Sequence, residues 1–93
     1  MEFLVRQHNV APIGIDLTAL KRAEREYAMK LRTDGFLLKL WRVPGTTDAL
    51  GLWEARDATE LHDLLADLPM FRFLQISIEA LAEHPQEKIL RES

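Results

Sequence analysis

A chain of 93 residues with 12 Lys and Arg against 15 Asp and Glu carries a formal net charge of −3 and has no basic cluster. That argues against nucleic-acid binding, which needs a positive footprint, and no uncharged apolar run is long enough to span a bilayer. The apolar share of 47% and charged share of 29% are those of an ordinary folded domain, and the length suffices for one core, so residues 1–93 read as a single domain.

The chain opens on a strand, Glu2–Gln7, with Phe3 and Val5 on one face and Leu4 on the other. This start resembles neither a signal peptide nor a lipid-anchor site, so the expected compartment is the cytoplasm. The absence of Cys removes disulfides, zinc–thiolate sites and cysteine nucleophiles together. "HNVAPIGID" is a loop, after which Asp16 or Thr18 is expected to cap a helix running to about Thr33, with Gly35 just past its end. The second strand, Phe36 to Val43, is apolar on both faces. Simple alternation puts Leu38 and Leu40 on one side and Leu37, Trp41 and Val43 on the other. "PGTTD" then turns into a third strand, Ala49 to Ala55, closing a hairpin. Asp57, with Glu60 three residues on, opens a second helix over about Ala58–Asp67. Its buried stripe is Leu61, Leu64, Leu65 and Leu68, Pro69 stops it, and "FRFLQISIEAL" alternates as a fourth strand.

The order β-α-β-β-α-β predicts an α+β, ferredoxin-like domain with an antiparallel sheet and both helices on one face. A second apolar face on such a sheet must meet something, most simply another copy of itself. The expectation is a homo-oligomer of the dimeric α/β-barrel type, at least a dimer, with the tail 79–93 packing on a neighbour or fraying.

One charge stands out against this pattern. In "LKRAEREYAMKL", Leu20, Tyr27, Ala28 and Leu31 line one side of the helix, and Glu24 sits in the middle of that line. Either Glu24 lies at the edge of the stripe, half solvated and paired with Lys21 or Arg25, or it is a general acid or base whose apolar surroundings raise its pKa. The second reading requires a ligand cavity between the first helix and the sheet. His8, His62 and His84 have no ligand spacing among them, so no metal site is expected. His62 borders the stripe of the second helix, within reach of a cavity beneath it. Lys39 and Arg42 differ in parity on their strand and point opposite ways, and one of them could hold a substrate carboxylate. Trp41 and Trp53 read more simply as hairpin core than as a ligand platform. "PGTTD" precedes no helix and is not a phosphate loop. Ser77 and Ser93 have no acid–base partners in any recognisable arrangement.

The stretches "LKRAEREYAMKLRTDG", "LWRVPG", "ELHDLLADLPMF" and "ISIEALAEHP" resemble, in order and spacing, the muconolactone Δ-isomerase family, from the first strand to about Pro85. The resemblance implies a ferredoxin-like domain assembled into a homodecamer. It also implies a cofactor-free isomerisation in the β-ketoadipate route of aromatic catabolism. Muconolactone loses its ring γ-proton and regains one at the α-carbon, giving the 3-oxoadipate enol-lactone. Such a reaction needs one base and cationic or hydrogen-bonding groups for the developing negative charge. The family's acidic residue on the first helix matches Glu24; Lys39, Arg42 or Lys21 would steady negative charge, with His62 and Trp41 as further substrate contacts. Where family members usually carry Trp-Arg and then His or Tyr, this chain has Leu37, Leu38 and Lys39. That change fits a less anionic lactone or enone, and three readings follow: a muconolactone-type isomerase, an isomerase or cyclase for an apolar natural product, and an oligomeric scaffold without catalysis.

Overall fold

In a computed structural model describing residues 1–92, the chain runs β1 (Glu2–Asn9), α1 (Thr18–Thr33), β2 (Leu37–Arg42), β3 (Ala49–Glu54), α2 (Ala58–Ala66), β4 (Leu74–Leu81) and α3 (Pro85–Glu92). The strands pair antiparallel in the order β2-β3-β1-β4, the ferredoxin-like arrangement expected from the element order. On the helix-facing side Phe3, Val5 and Trp53 meet Leu31 from α1 and Leu61 and Leu65 from α2, all nearly inaccessible to solvent. None of the described helices is long and apolar enough to cross a membrane.

The N-cap of helix α1 falls between the two expected caps, at neither of them. Leu17 is the N-cap and makes no side-chain capping bond. Asp16 instead accepts from the Thr18 backbone N–H at 3.0 Å and the Thr18 hydroxyl at 2.7 Å, so the two expected caps bond each other across the start of the helix. The other end closes as the sequence suggests. Gly35, at φ +84°, takes the left-handed position, while Gly35 N–H donates to Arg32 O at 3.2 Å and Phe36 N–H to Leu31 O at 2.9 Å. This pair of bonds satisfies carbonyls that the helix end would otherwise leave bare, and only glycine takes that φ without strain.

Two expectations are corrected. The register slips between Leu37 and Lys39, so Leu37 pairs with Trp53 and Leu40 with Gly51, both on the helix side, while Trp41 pairs with Leu50 on the other face. A bulge adds one residue to one strand and thereby reverses the parity beyond it, so Leu37 and Trp41 do not share a face. Residues 71–73 form a single 3₁₀ turn, and β4 starts at Leu74. Their would-be partner strand ends at Asn9, and beyond it only the bond from Val10 N–H to Phe73 O at 2.8 Å continues the pairing before Ala11-Pro12, too little to hold them extended. Within the tail, β4 runs on to Leu81 and Pro85–Glu92 form α3, with Pro85 at its first position and Ile89 and Leu90 exposed.

The start of α2 matches its sequence signature. The Asp57 carboxylate accepts from Glu60 N–H at 2.9 Å, and the Glu60 carboxylate reaches back to Arg56 N–H at 2.9 Å. Asp57→Ala is therefore expected to cost about 1 kcal/mol, read as a lower urea midpoint with unchanged slope, with Asp57→Asn close to wild type.

Candidate active site

The alternation of β1 continues past Phe3 and Val5 to Gln7, a polar side chain on the side that faces the helices. Its neighbours on that side are Ala49 and Gly51 of β3 and Leu40 and Arg42 of β2. Small residues at two of these places leave room beneath α1. A Cβ on Gly51 would stand 2.8 Å from Trp53 Nε1 and 3.3 Å from Leu40, so only glycine allows the indole and leucine to approach this floor. The result is a cavity of about 260 Å³, floored by Gln7, Ala49 and Trp53, walled by Leu31, Leu37, Leu40 and Leu68, and roofed by Glu24, Arg25 and Ala28 of α1. Its size lies just below the usual ~300–1,000 Å³ of small-molecule sites and suits a compact ligand. A wider groove of about 590 Å³ lies beside it between the β1–α1 loop and the β2–β3 turn, with Lys21 and Thr47 on its walls. Arg42 lines both spaces and stands at their junction.

Glu24 is partly buried, and one carboxylate oxygen accepts from the Met70 backbone N–H at 2.8 Å. That bond crosses from α1 to the segment after α2, where Leu68-Pro69-Met70 turns under the helix. Burial pushes the Glu24 carboxyl above its ordinary value, and the Met70 N–H offsets part of the rise. Among the described residues Glu24 forms no ion pair, so neither Lys21 nor Arg25 neutralises it. Tyr27, one turn further along α1, donates its hydroxyl to Leu64 O at 3.2 Å and ties the helix to α2. Burial raises the Tyr27 pKa, and the negative charges of Asp67 and Glu24 add to the effect.

Arg42 is held from behind. Its Nη1 donates to the carbonyl of Thr47 and, at 3.3 Å, to that of Asp48. The fork has other N–H groups that these two bonds do not engage.

Of the residues singled out in the sequence, Glu24 and Arg42 meet in the cavity, and Lys21 joins Arg42 in the adjoining groove. Lys39 and Trp41 project from the opposite face of the sheet, where the ammonium lies 5.7 Å from the indole centroid. His62 is exposed on α2 and lines neither space. Gln7 and Arg25 were not singled out as ligand contacts. The sequence does carry a signal for Gln7, a polar residue at the third core-facing position of a strand; Arg25 beside Glu24 reads there only as an ion-pair partner. Among the described residues, no three His, Cys, Asp or Glu side chains come together as a metal-ligand set.

A family model described as muconolactone delta-isomerase matches residues 1–87. The muconolactone delta-isomerase of Pseudomonas aeruginosa is 33% identical over 88 residues, covering 91% of this chain and 92% of that protein. That of Cupriavidus pinatubonensis is 35% identical over 66 residues, covering 71% and 72%. A crystal structure of muconolactone isomerase superposes with a TM-score of 0.86 at 32% identity, covering 91% of this chain and 92% of that one. Sequence, fold and the full span of the match agree: the chain belongs to the muconolactone delta-isomerase family.

Proposed function

We propose that this chain shifts the double bond of muconolactone or a close butenolide relative, with Glu24 carrying the proton. The observation that carries the reading is Glu24 itself: a carboxylate on the roof of an apolar cavity, held by one backbone N–H and, among the described residues, paired with no cation. Burial raises its basicity, and the Met70 bond fixes its aim. In the first step the ring Cγ–H bond breaks and the proton passes to Glu24. The electron pair spreads through the ring to the lactone oxygen as a dienolate. In the second step Glu24–H returns a proton to Cα, a new C–H bond forms, and the double bond rests between Cβ and Cγ. Atoms and charge balance without an oxidant or a second substrate. The two carbons lie on one small ring, so one carboxyl can serve both with little movement.

Arg42, at the junction, is placed to steady negative charge on the substrate, and Lys21 in the groove offers a second cation. The walls of Leu31, Leu37, Leu40 and Leu68 favour an apolar ring and support a second reading, in which the substrate lacks the acetate arm of muconolactone. Homo-oligomerisation belongs to the same proposal. Trp41 and Leu81 are exposed on the face opposite the helices, beside Leu4, Leu50 and Leu52, and a second copy would cover them.

Proton NMR in deuterated buffer tests the reaction. With muconolactone, loss of the Cγ–H signal and appearance of the enol-lactone are expected, with deuterium at Cα to the extent that Glu24 exchanges with solvent. Conversion only of a butenolide lacking the carboxylate would select the second reading. Conversion of neither by folded protein would overturn both.

A further inference from the structure

Asp48 is the one buried charged residue among those described. It stands just before β3, in the turn "PGTTD", and its carboxylate points to the sheet face away from the cavity. There it joins two side chains of β1: Oδ2 accepts from Arg6 Nε at 2.9 Å and lies 2.8 Å from Arg6 Nη2, while Oδ1 lies 2.7 Å from His8 Nδ1. The cover is thin, since Arg6 and His8 are themselves half exposed, yet the carboxylate is left only 8% accessible. Hydrogen bonds from His8 and Arg6 hold the Asp48 pKa below the usual carboxylate value.

The backbone of the same residue does something else. Asp48 N–H donates to the Thr46 hydroxyl at 3.0 Å, and Val43 N–H donates to Asp48 O at 3.2 Å, which closes the end of the β2–β3 hairpin. The carbonyls of Thr47 and Asp48 are also the acceptors that hold Arg42 Nη1. Asp48 therefore touches β1 through its side chain on one face and Arg42 through its backbone.

We infer that Asp48 is a positioning residue: its clamp on Arg6 and His8 fixes the carbonyls of the hairpin turn that aim Arg42 at the substrate. The inference rests on the reading of Arg42 given under the proposed function. Long cationic side chains have many rotamers to lose on binding, and Arg42 lies at the end of β2, an outer strand of the sheet. Two carbonyls fixed in advance remove much of that freedom before the ligand arrives. Without the clamp, the turn is joined to the sheet by fewer bonds, and the guanidinium samples orientations that do not meet the ligand.

The test is a double-mutant cycle on the full chain, with muconolactone and a butenolide lacking the carboxylate as substrates. Asp48→Ala is expected to raise KM for muconolactone about tenfold with kcat little changed, and to affect the uncharged substrate much less. In an Arg42→Ala background, Asp48→Ala is expected to add almost nothing further. Asp48→Asn keeps the side-chain shape and an acceptor for Arg6; it should give a smaller shift of the same kind, and it serves if the alanine variant does not fold. If Asp48 changes act equally with and without Arg42, or equally on both substrates, its role is structural only and the inference fails. If Arg42→Ala alone leaves KM for both substrates unchanged, the reading of Arg42 fails first, and the positioning role falls with it.

Discussion

Glu24→Gln is expected to lower turnover by about 10²–10⁴-fold while the protein stays folded, because the amide keeps the shape and an acceptor for Met70 but cannot take a proton. Steady-state kinetics on muconolactone measure the loss, and Glu24→Asp, with a shorter reach to the ring, should fall between. The acid limb of kcat/KM for the wild type should lie above the ordinary carboxylate range, since burial raises the Glu24 pKa. The same shift acts on stability with a definite sign. The folded chain holds the Glu24 proton more tightly than the unfolded chain does, so between the two pKa values folding stability from this group falls as pH rises. Its contribution is fully present below the unfolded value and is lost as pH passes the folded one. Glu24→Gln removes that dependence, so at about pH 7 the variant should be at least as resistant to urea as the wild type. A variant that is both less active and markedly less stable would instead point to a structural carboxylate.

The sequence made the fold legible where each signal was local and self-contained. Gly35 after a helical stripe, Asp57 with Glu60 before another, and five turn residues between two apolar runs each specify their own geometry. The errors occurred where a distant partner decides. Phe71 and Phe73 alternate like a strand, but whether they pair depends on β1, which ends at Asn9. Leu37 and Trp41 look like one face until the bulge opposite β3 separates them. The site shows the same division. Glu24 was visible because a helical stripe is read within one segment. Arg42 could be told from Lys39 only in parity, and which of the two faced the cavity depended on the register against β3. Asp48 gave no signal at all in "PGTTD", since its partners Arg6 and His8 lie about forty residues away in the chain, at separations of 42 and 40.

Trp53→Ala carries the largest expected loss of stability. The indole is 2% exposed, sits opposite Phe3 on β1 and Leu37 on β2, and forms part of the cavity floor. Removing it deletes apolar contact with both neighbouring strands and leaves a hole that the rigid sheet cannot close, at a cost of about 3–5 kcal/mol. A domain of this length has only about 5–14 kcal/mol in total, so the variant should lose a large share of its stability. At a sensitivity of about 4–8 °C per kcal/mol, the melting temperature should fall by at least about 12 °C, measured at one protein concentration so that self-association is held constant. Trp53→Phe keeps a ring over Gly51 and should lose much less. A small effect of the alanine variant would mean that the cavity floor is supported chiefly by the strands themselves. A large one ties the site to the core, because the ring that closes the pocket beneath Glu24 is also the one that joins β1, β2 and β3 on their buried face.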